Sequence, residues 1–364
     1  MADEKPTTLG EREAAGEIQK TTETPGASFE ILSVGELLLK AGYNDGLKST
    51  PRPREWLFMN EGRGFIPRGH VGIIGGRGGT AKSTFALQAA ISVVTASPVL
   101  QGDIREGALT YTKPKNEPER AFVCFAEEDL NDISERLFKL CKGLTKNQLD
   151  LVTNNLKVLS LRGKTAYLVD DNGKPSDSFN NIQEQLNDGE PWAFMVFDPL
   201  ARFQRDAEKD ASEATSCLAM FERLTALPGK PTVLVVHHAT KGSNKDTIEE
   251  ALSIGSLRGS GALSDAGRFQ LMMANEKEEC RKGSGRVEIL TSLRSVKSNY
   301  GPLDFATIKL KITGAGVRLA TKDEVAALEN LKASNAKKQD GAQKTKTSGS
   351  DSSNGGRNFD PHAD

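Results

Sequence analysis

The segment Gly76-Arg77-Gly78-Gly79-Thr80-Ala81-Lys82-Ser83 is the tightest constraint in this sequence. A short apolar run, HVGIIG, precedes it, and an Ala-, Leu- and Ile-rich helical pattern over 83–96 follows. A strand, a glycine-rich turn and a helix with G-x-x-x-x-G-K-[ST] spacing make a cradle for phosphate. Glycines let backbone N–H groups close around the anion. Lys82 places a positive charge on the β- and γ-phosphates of ATP. The Ser83 hydroxyl is a Mg²⁺ ligand, and the helix N-terminus adds its dipole. The candidate phosphate-binding set is thus Gly76, Gly78, Gly79, Thr80, Ala81, Lys82, Ser83 and Thr84. Ala81 stands where the pattern has its last glycine. A Cβ there costs little at negative φ and about 1 kcal/mol or more at positive φ. The competing interpretation, a glycine-rich turn with a chance lysine, fails to explain the flanking strand and helix.

Around this loop the chain alternates. Apolar runs over 70–75, 121–126, 156–161, 192–197 and 232–236 read as strands. Helical patterns over 83–96, 129–142, 178–187 and 212–227 separate them. Nearly unbroken apolar strands, each followed by a helix, indicate an α/β fold with a mostly parallel sheet covered on both faces. From residue 268 the rhythm changes. Runs over 268–273, 286–296 and 305–312 read as consecutive strands, an antiparallel C-terminal extension of the same sheet.

The ends are different. Residues 1–27 and 333–364 are polar, with no helical or strand period, and are expected to be disordered. One ATPase domain is expected over 28–325. The 364 residues carry a net charge of -1, so a nucleic-acid site must be a local patch rather than a property of the whole surface. Cys124, Cys141, Cys217 and Cys280 match neither a zinc knuckle nor a redox pair and read as reduced thiols. No apolar run is long enough to span a bilayer, and the acidic start MADEKPTTLGEREAAGE is no signal peptide, so a cytoplasmic chain is expected.

Hydrolysis needs a carboxylate that orients Mg²⁺ and a group that activates water. Asp198 ends the run WAFMVFD, where a buried strand delivers an acid to the edge that holds the phosphate loop. A plain strand-ending turn aspartate is the alternative. Glu127 and Glu128 end AFVCFAEE. Glu127 is assigned as the water activator, with Glu128 as a helix cap, and the two are interchangeable on spacing alone. His237 and His238 end TVLVVHH. No third ligand completes a zinc set. One of the pair is expected to sense the γ-phosphate through a hydrogen bond made with ATP and lost with ADP.

The segments GGRGGTAKS, AEED, MVFDPLARF, VVHHATKGS, LRGSGALSDAGRFQ and SVKSNYG, in that order, resemble the RepA-type replicative helicases of broad-host-range plasmids. Those helicases belong to the RecA-like superfamily that includes the DnaB-type helicases. The resemblance covers 55–315. It implies a RecA-like core, a homo-oligomeric ring, usually a hexamer, with ATP at subunit interfaces, and channel loops that grip single-stranded DNA. Carried over by position, Lys82 and Ser83 are the phosphate-loop pair, Glu127 the catalytic acid, Asp198 the Mg²⁺ acid and His238 the sensor. Arg268 in DAGRFQ is the arginine finger, with Arg258 in SLRGSGA as a second candidate. Lys297, Asn299 and Tyr300 are expected at a neighbour's nucleotide. Lys241 and Lys245, in the loop over 239–257, are candidate DNA contacts, although Asp246, Glu249 and Glu250 share that loop.

Three functions fit this pattern: a DNA-unwinding motor, an ATP-dependent DNA-binding filament or recombination mediator, and a nucleotide-dependent scaffold with little hydrolysis. The motor is the first expectation.

Overall fold

The computed structural model describes residues 30–100, 109–112, 119–205, 211–239, 247–257, 261–279 and 287–347. The chain divides after Pro53 into two compact units. That boundary falls inside the 28–325 stretch read as one domain. In the first unit, helix α1 (Val34–Lys40) starts at a capping box, in which Ser33 and Glu36 bond each other's backbone N–H. A 3-10 turn follows at Gly46–Lys48.

The second unit begins with β1 (Trp56–Asn60) and β2 (Arg63–Pro67). Next come β3 (Val71–Gly76), α2 (Lys82–Thr95), β4 (Leu109–Tyr111) and β5 (Arg120–Phe125). Helices α3 (Leu130–Leu140) and α4 (Lys146–Asn155) precede β6 (Leu156–Ser160), α5 (Asp177–Leu186), β7 (Trp192–Asp198) and α6 (Ala211–Leu224). After β8 (Thr232–His238) lie α7 (Ile248–Ala251), α8 (Gly261–Ala266), β9 (Phe269–Glu279) and β10 (Val287–Ser298). The described chain ends with β11 (Ile308–Thr313), β12 (Gly316–Leu319) and α9 (Lys322–Thr347).

The main sheet has the order β12-β11-β10-β9-β3-β8-β7-β5-β6. From β9 to β6 all pairings are parallel. The pairings β9–β10, β10–β11 and β11–β12 are antiparallel. Alternate residues of each inner strand feed two separate cores. Ile74, Val123, Val196 and Leu234 pack with α2 on one face. Ile73, Phe122, Met195 and Val233 pack with α5 and α6 on the other. A period of two thus buries both sides of each strand, which is why these segments are apolar throughout. The α/β class, the parallel core and the antiparallel extension are as the sequence predicts.

Several elements differ from the sequence reading. A small antiparallel sheet, β2-β1-β4, lies outside the main one. Its β1–β2 turn uses Glu61 and Gly62 at positive φ, a tight hairpin geometry. Helix α4 occupies a stretch for which the sequence patterns above name no element. Helix α9 runs through 333–347, the first part of the tail expected to be disordered, anchored by Leu328 in the core and by Lys332 on Glu276. Residues 1–27 lie outside the described residues. Among the described residues no helix is long and apolar enough to cross a membrane, and Cys124, Cys141 and Cys217 are free thiols.

Candidate nucleotide-binding site

The inner strands β3, β5, β7 and β8 all end at one edge of the sheet. Register fixes the neighbours there: Gly76 lies beside His238, and Asp198 beside Phe125. The carboxyl edge of a parallel sheet is where α/β folds place ligands. Gly76 has φ 156, and a Cβ on it would come within 2.3 Å of the Met273 carbonyl oxygen. Only glycine lets the loop leave β3 in contact with β9. Gly79 has φ 79, and a Cβ at Gly78 or Gly79 would meet nothing within 4 Å. The requirement at Gly79 is conformational and arises from the loop itself, whereas neither φ nor space demands glycine at Gly78.

Ala81 has φ 62 and ψ 28 immediately before α2, so the costly alternative weighed from the sequence is the one adopted. Lys82, the first residue of α2, is buried. Its ammonium donates to the Arg77 carbonyl at 2.8 Å and to Thr80 Oγ1 at 3.4 Å. Thr80 Oγ1 donates to the same carbonyl at 2.9 Å. Burial lowers the Lys82 pKa to about 8 against the pull of Asp198. The ammonium thus sits at the loop, held by its oxygens.

Asp198 is also buried, and the Ser83 hydroxyl lies near its carboxylate. Burial raises its pKa to about 6. The nearby Ser83 hydroxyl and the charges of Lys82 and Arg136 oppose that rise, while Glu128 adds to it. Asp198 Oδ2 is buried and has no protein partner. A buried, unpaired carboxylate oxygen beside a serine hydroxyl is an oxygen-donor pair that suits Mg²⁺. Ser83 and Asp198 fit that ion.

The two glutamates diverge. Glu127 is half exposed and accepts from Arg202 Nε at 3.0 Å. Glu128 turns inward, accepts from Arg136 at 2.5 Å and leaves Oε2 buried without a partner. Arg136 has no local signal in the sequence, because a cation in a helical stretch reads as solvent-facing until its partner is known. Thr84 and Glu128 line a cavity of about 510 Å³ between α3 and the β11–β12 turn, bounded by Arg136, Lys139, Thr313 and Gly314. This cavity adjoins the start of α2 through Thr84, the residue after Ser83.

His237 is buried and His238 half-buried, at the level of Gly75 and Gly76. Arg268 lies elsewhere. Its N–H donates to the Val71 carbonyl at 2.9 Å, at the opposite end of β3 from the loop. At about 3.3 Å per residue the strand separates the two ends by roughly 16 Å. Arg268 is half exposed, and its ion pair to Glu222 is 4.0 Å long. Lys297 pairs with Gln270 at the same amino edge and donates to the Asp265 carbonyl at 2.8 Å. The phosphate loop, both glutamates, Asp198 and both histidines therefore gather at one edge. Arg268 and Lys297 stand at the other. Arg258, Lys241 and Lys245 lie outside the described residues.

The family model described as AAA domain matches residues 36–244. The match spans the phosphate loop, Glu127, Glu128, Asp198, His237 and His238, and ends before Arg268. Among curated proteins, none matches the chain.

Proposed function

This chain belongs to the AAA domain family of P-loop ATPases, and on that premise we propose that it is an oligomeric RecA-like motor that hydrolyses ATP and acts on single-stranded DNA. Its biological setting in this reading is the replication of a plasmid, phage or other mobile element. The observation that carries the ATPase part is the Ser83–Asp198 contact beside the buried Lys82 ammonium.

The roles follow from position. Loop N–H groups and Lys82 bind the phosphates, with Lys82 exchanging the Arg77 carbonyl for phosphate oxygens. Ser83 and Asp198 hold Mg²⁺, which when bound supplies neutralising charge at the β- and γ-oxygens. The cavity between α3 and the β11–β12 turn takes the nucleoside. Glu127 accepts the proton of a water whose oxygen bonds to the γ-phosphorus as the β–γ bridging bond breaks. ADP and phosphate leave. His238 reports whether the γ-phosphate is present.

Arg268 supports an oligomer. It is about one strand length from its own phosphate loop, so it meets a triphosphate only when a second copy presents one. An arginine supplied in this way is typically worth about 10³–10⁵ in turnover. Lys297 shares that edge and that role toward a neighbour. The DNA part rests on the resemblance of LRGSGALSDAGRFQ and SVKSNYG to the plasmid helicases, with Lys241 and Lys245 as contacts.

The test is ATP turnover with and without a single-stranded oligonucleotide, together with displacement of an annealed strand. Stimulation and displacement are expected. Turnover indifferent to DNA, with no strand displaced, rules out the motor. Mixing Arg268→Ala with Lys82→Ala should restore part of the activity, because each variant supplies what the other lacks at mixed interfaces. Electron microscopy should show closed rings, and open helical filaments would favour the recombination mediator.

A further inference from the structure

We infer that Asn275, on β9, is a positioning residue that sets the phosphate loop for nucleotide, an assignment that rests on the ATPase reading above. Its side-chain Nδ2 donates to the Gly79 carbonyl at 3.1 Å. Thr291 stands opposite it in the β9–β10 pairing, and the Thr291 hydroxyl donates to Asn275 Oδ1 at 2.8 Å. A hydroxyl proton on Oδ1 fixes which end of the amide faces the loop, since the NH₂ end must then point to Gly79.

The consequence lies in the peptide plane. In a trans amide the C=O and the following N–H point in opposite directions. Holding the Gly79 carbonyl toward β9 turns the Thr80 N–H away from β9, into the hollow of the loop where a phosphate oxygen is bound. Gly79 at φ 79 has no side chain to hold that plane, so an outside donor does it. The Gly76 carbonyl is held similarly, by the Ala239 N–H at 3.0 Å. The strand under Asn275 is itself fixed. The next residue, Glu276, is buried and accepts from Lys309, Ser292 and Lys332. Asn275 is therefore a rigid donor from outside the loop, at a place where the loop supplies none of its own.

The test uses the full chain with Mg²⁺ and a fluorescent ADP, together with steady-state ATP turnover. Asn275→Ala should weaken ADP and raise KM for ATP by about five- to tenfold, the worth of one hydrogen bond, while kcat stays within about twofold. Asn275→Asp should lose more, because a carboxylate would face both the Gly79 carbonyl and the phosphates. Thr291→Val keeps Asn275 but frees its amide to rotate, and should show a smaller loss in the same direction. The melting temperature without nucleotide should stay unchanged in Thr291→Val, which separates loop positioning from folding. ADP binding within about twofold of wild type in Asn275→Ala overturns the assignment, as does a fall in kcat at constant KM. A wild-type chain that binds neither ADP nor ATP overturns the ATPase reading and this assignment with it.

Discussion

The hydroxyl of Ser83, in the first turn of α2, lies beside the carboxylate of Asp198 at the end of β7, so that the phosphate loop and the strand two places away in the sheet meet at one point. This proximity comes at a cost in buried charge, since Asp198 is buried.

That cost is measurable through Asp198→Asn. Burial raises the Asp198 pKa to about 6, so its protonated form is favoured in the fold. The resulting stabilisation is present below the ordinary aspartate value and is lost as pH rises through about 6. At pH 7.5 the ionised carboxylate costs no more than about 3 kcal/mol. Asp198→Asn should therefore unfold later than wild type in denaturant at pH 7.5, by about 1–3 kcal/mol, with the gain vanishing near pH 4. Its turnover with Mg²⁺ should fall by about a hundredfold or more. A variant less stable than wild type at pH 7.5 would contradict this account of the site.

Ala81→Gly tests the strained turn. At φ 62 an alanine loses about 1–2 kcal/mol that glycine does not. Glycine gives back part of this through its freer unfolded chain, about 0.4–1 kcal/mol. The net expectation is a gain of about 0.5–1 kcal/mol, seen as a rise in melting temperature of about 1–4 °C, with turnover equal to or above wild type. Slower hydrolysis in the glycine variant would mean that the Cβ takes part in the site.

The paired glutamates should separate under substitution. Glu127, half exposed and held by an equally exposed Arg202, is placed to receive a proton. Glu127→Gln should keep ATP binding and lose about 10²–10⁴ in turnover. Glu128 is tied to Arg136, with both side chains mostly buried. Glu128→Gln should act first on stability, by leaving that guanidinium without its counter-charge. The reverse pattern in single-turnover assays would reassign the base to Glu128.

Acid should act through Glu276. Burial alone would raise its pKa, yet hydrogen bonds from Lys309, Lys332 and Ser292 hold it at about 2. Its stabilisation is therefore present above the ordinary glutamate value and is lost as pH falls through about 2. Glu276→Gln should cost on the order of 3 kcal/mol at neutral pH. It should also flatten the loss of stability between about pH 4.5 and pH 2, read by urea unfolding across that range. An acid limb unchanged from wild type would exclude Glu276 as its source.

Much of this protein is written locally in its chain. Strands such as WAFMVFD and TVLVVHH are apolar at every inner position because both of their faces are covered, and that requirement is visible in a single window of sequence. The spacing from Gly76 to Ser83 likewise demands a turn between a strand and a helix. Asp198 was legible for the same reason, as an acid at the end of a buried run.

What the tertiary structure alone decided depends on partners far apart in the chain. Asn275 is an unremarkable polar residue until β9 lies beside β3 and its amide reaches Gly79. Glu276 would read as a solvent-facing strand residue, yet Lys332 and Lys309 close over it. The tail from 333 has no apolar period of its own, and its first part is helical because α9 is anchored on the sheet before it. The residue pattern points the phosphate loop to nucleotide chemistry, and the family resemblance implies the same for Arg268. Only the parallel register of β9 on β3 places them at opposite ends of the strand. Sequence specifies local geometry through sterics and periodicity, whereas the partner of a long polar side chain is set by which strands become neighbours.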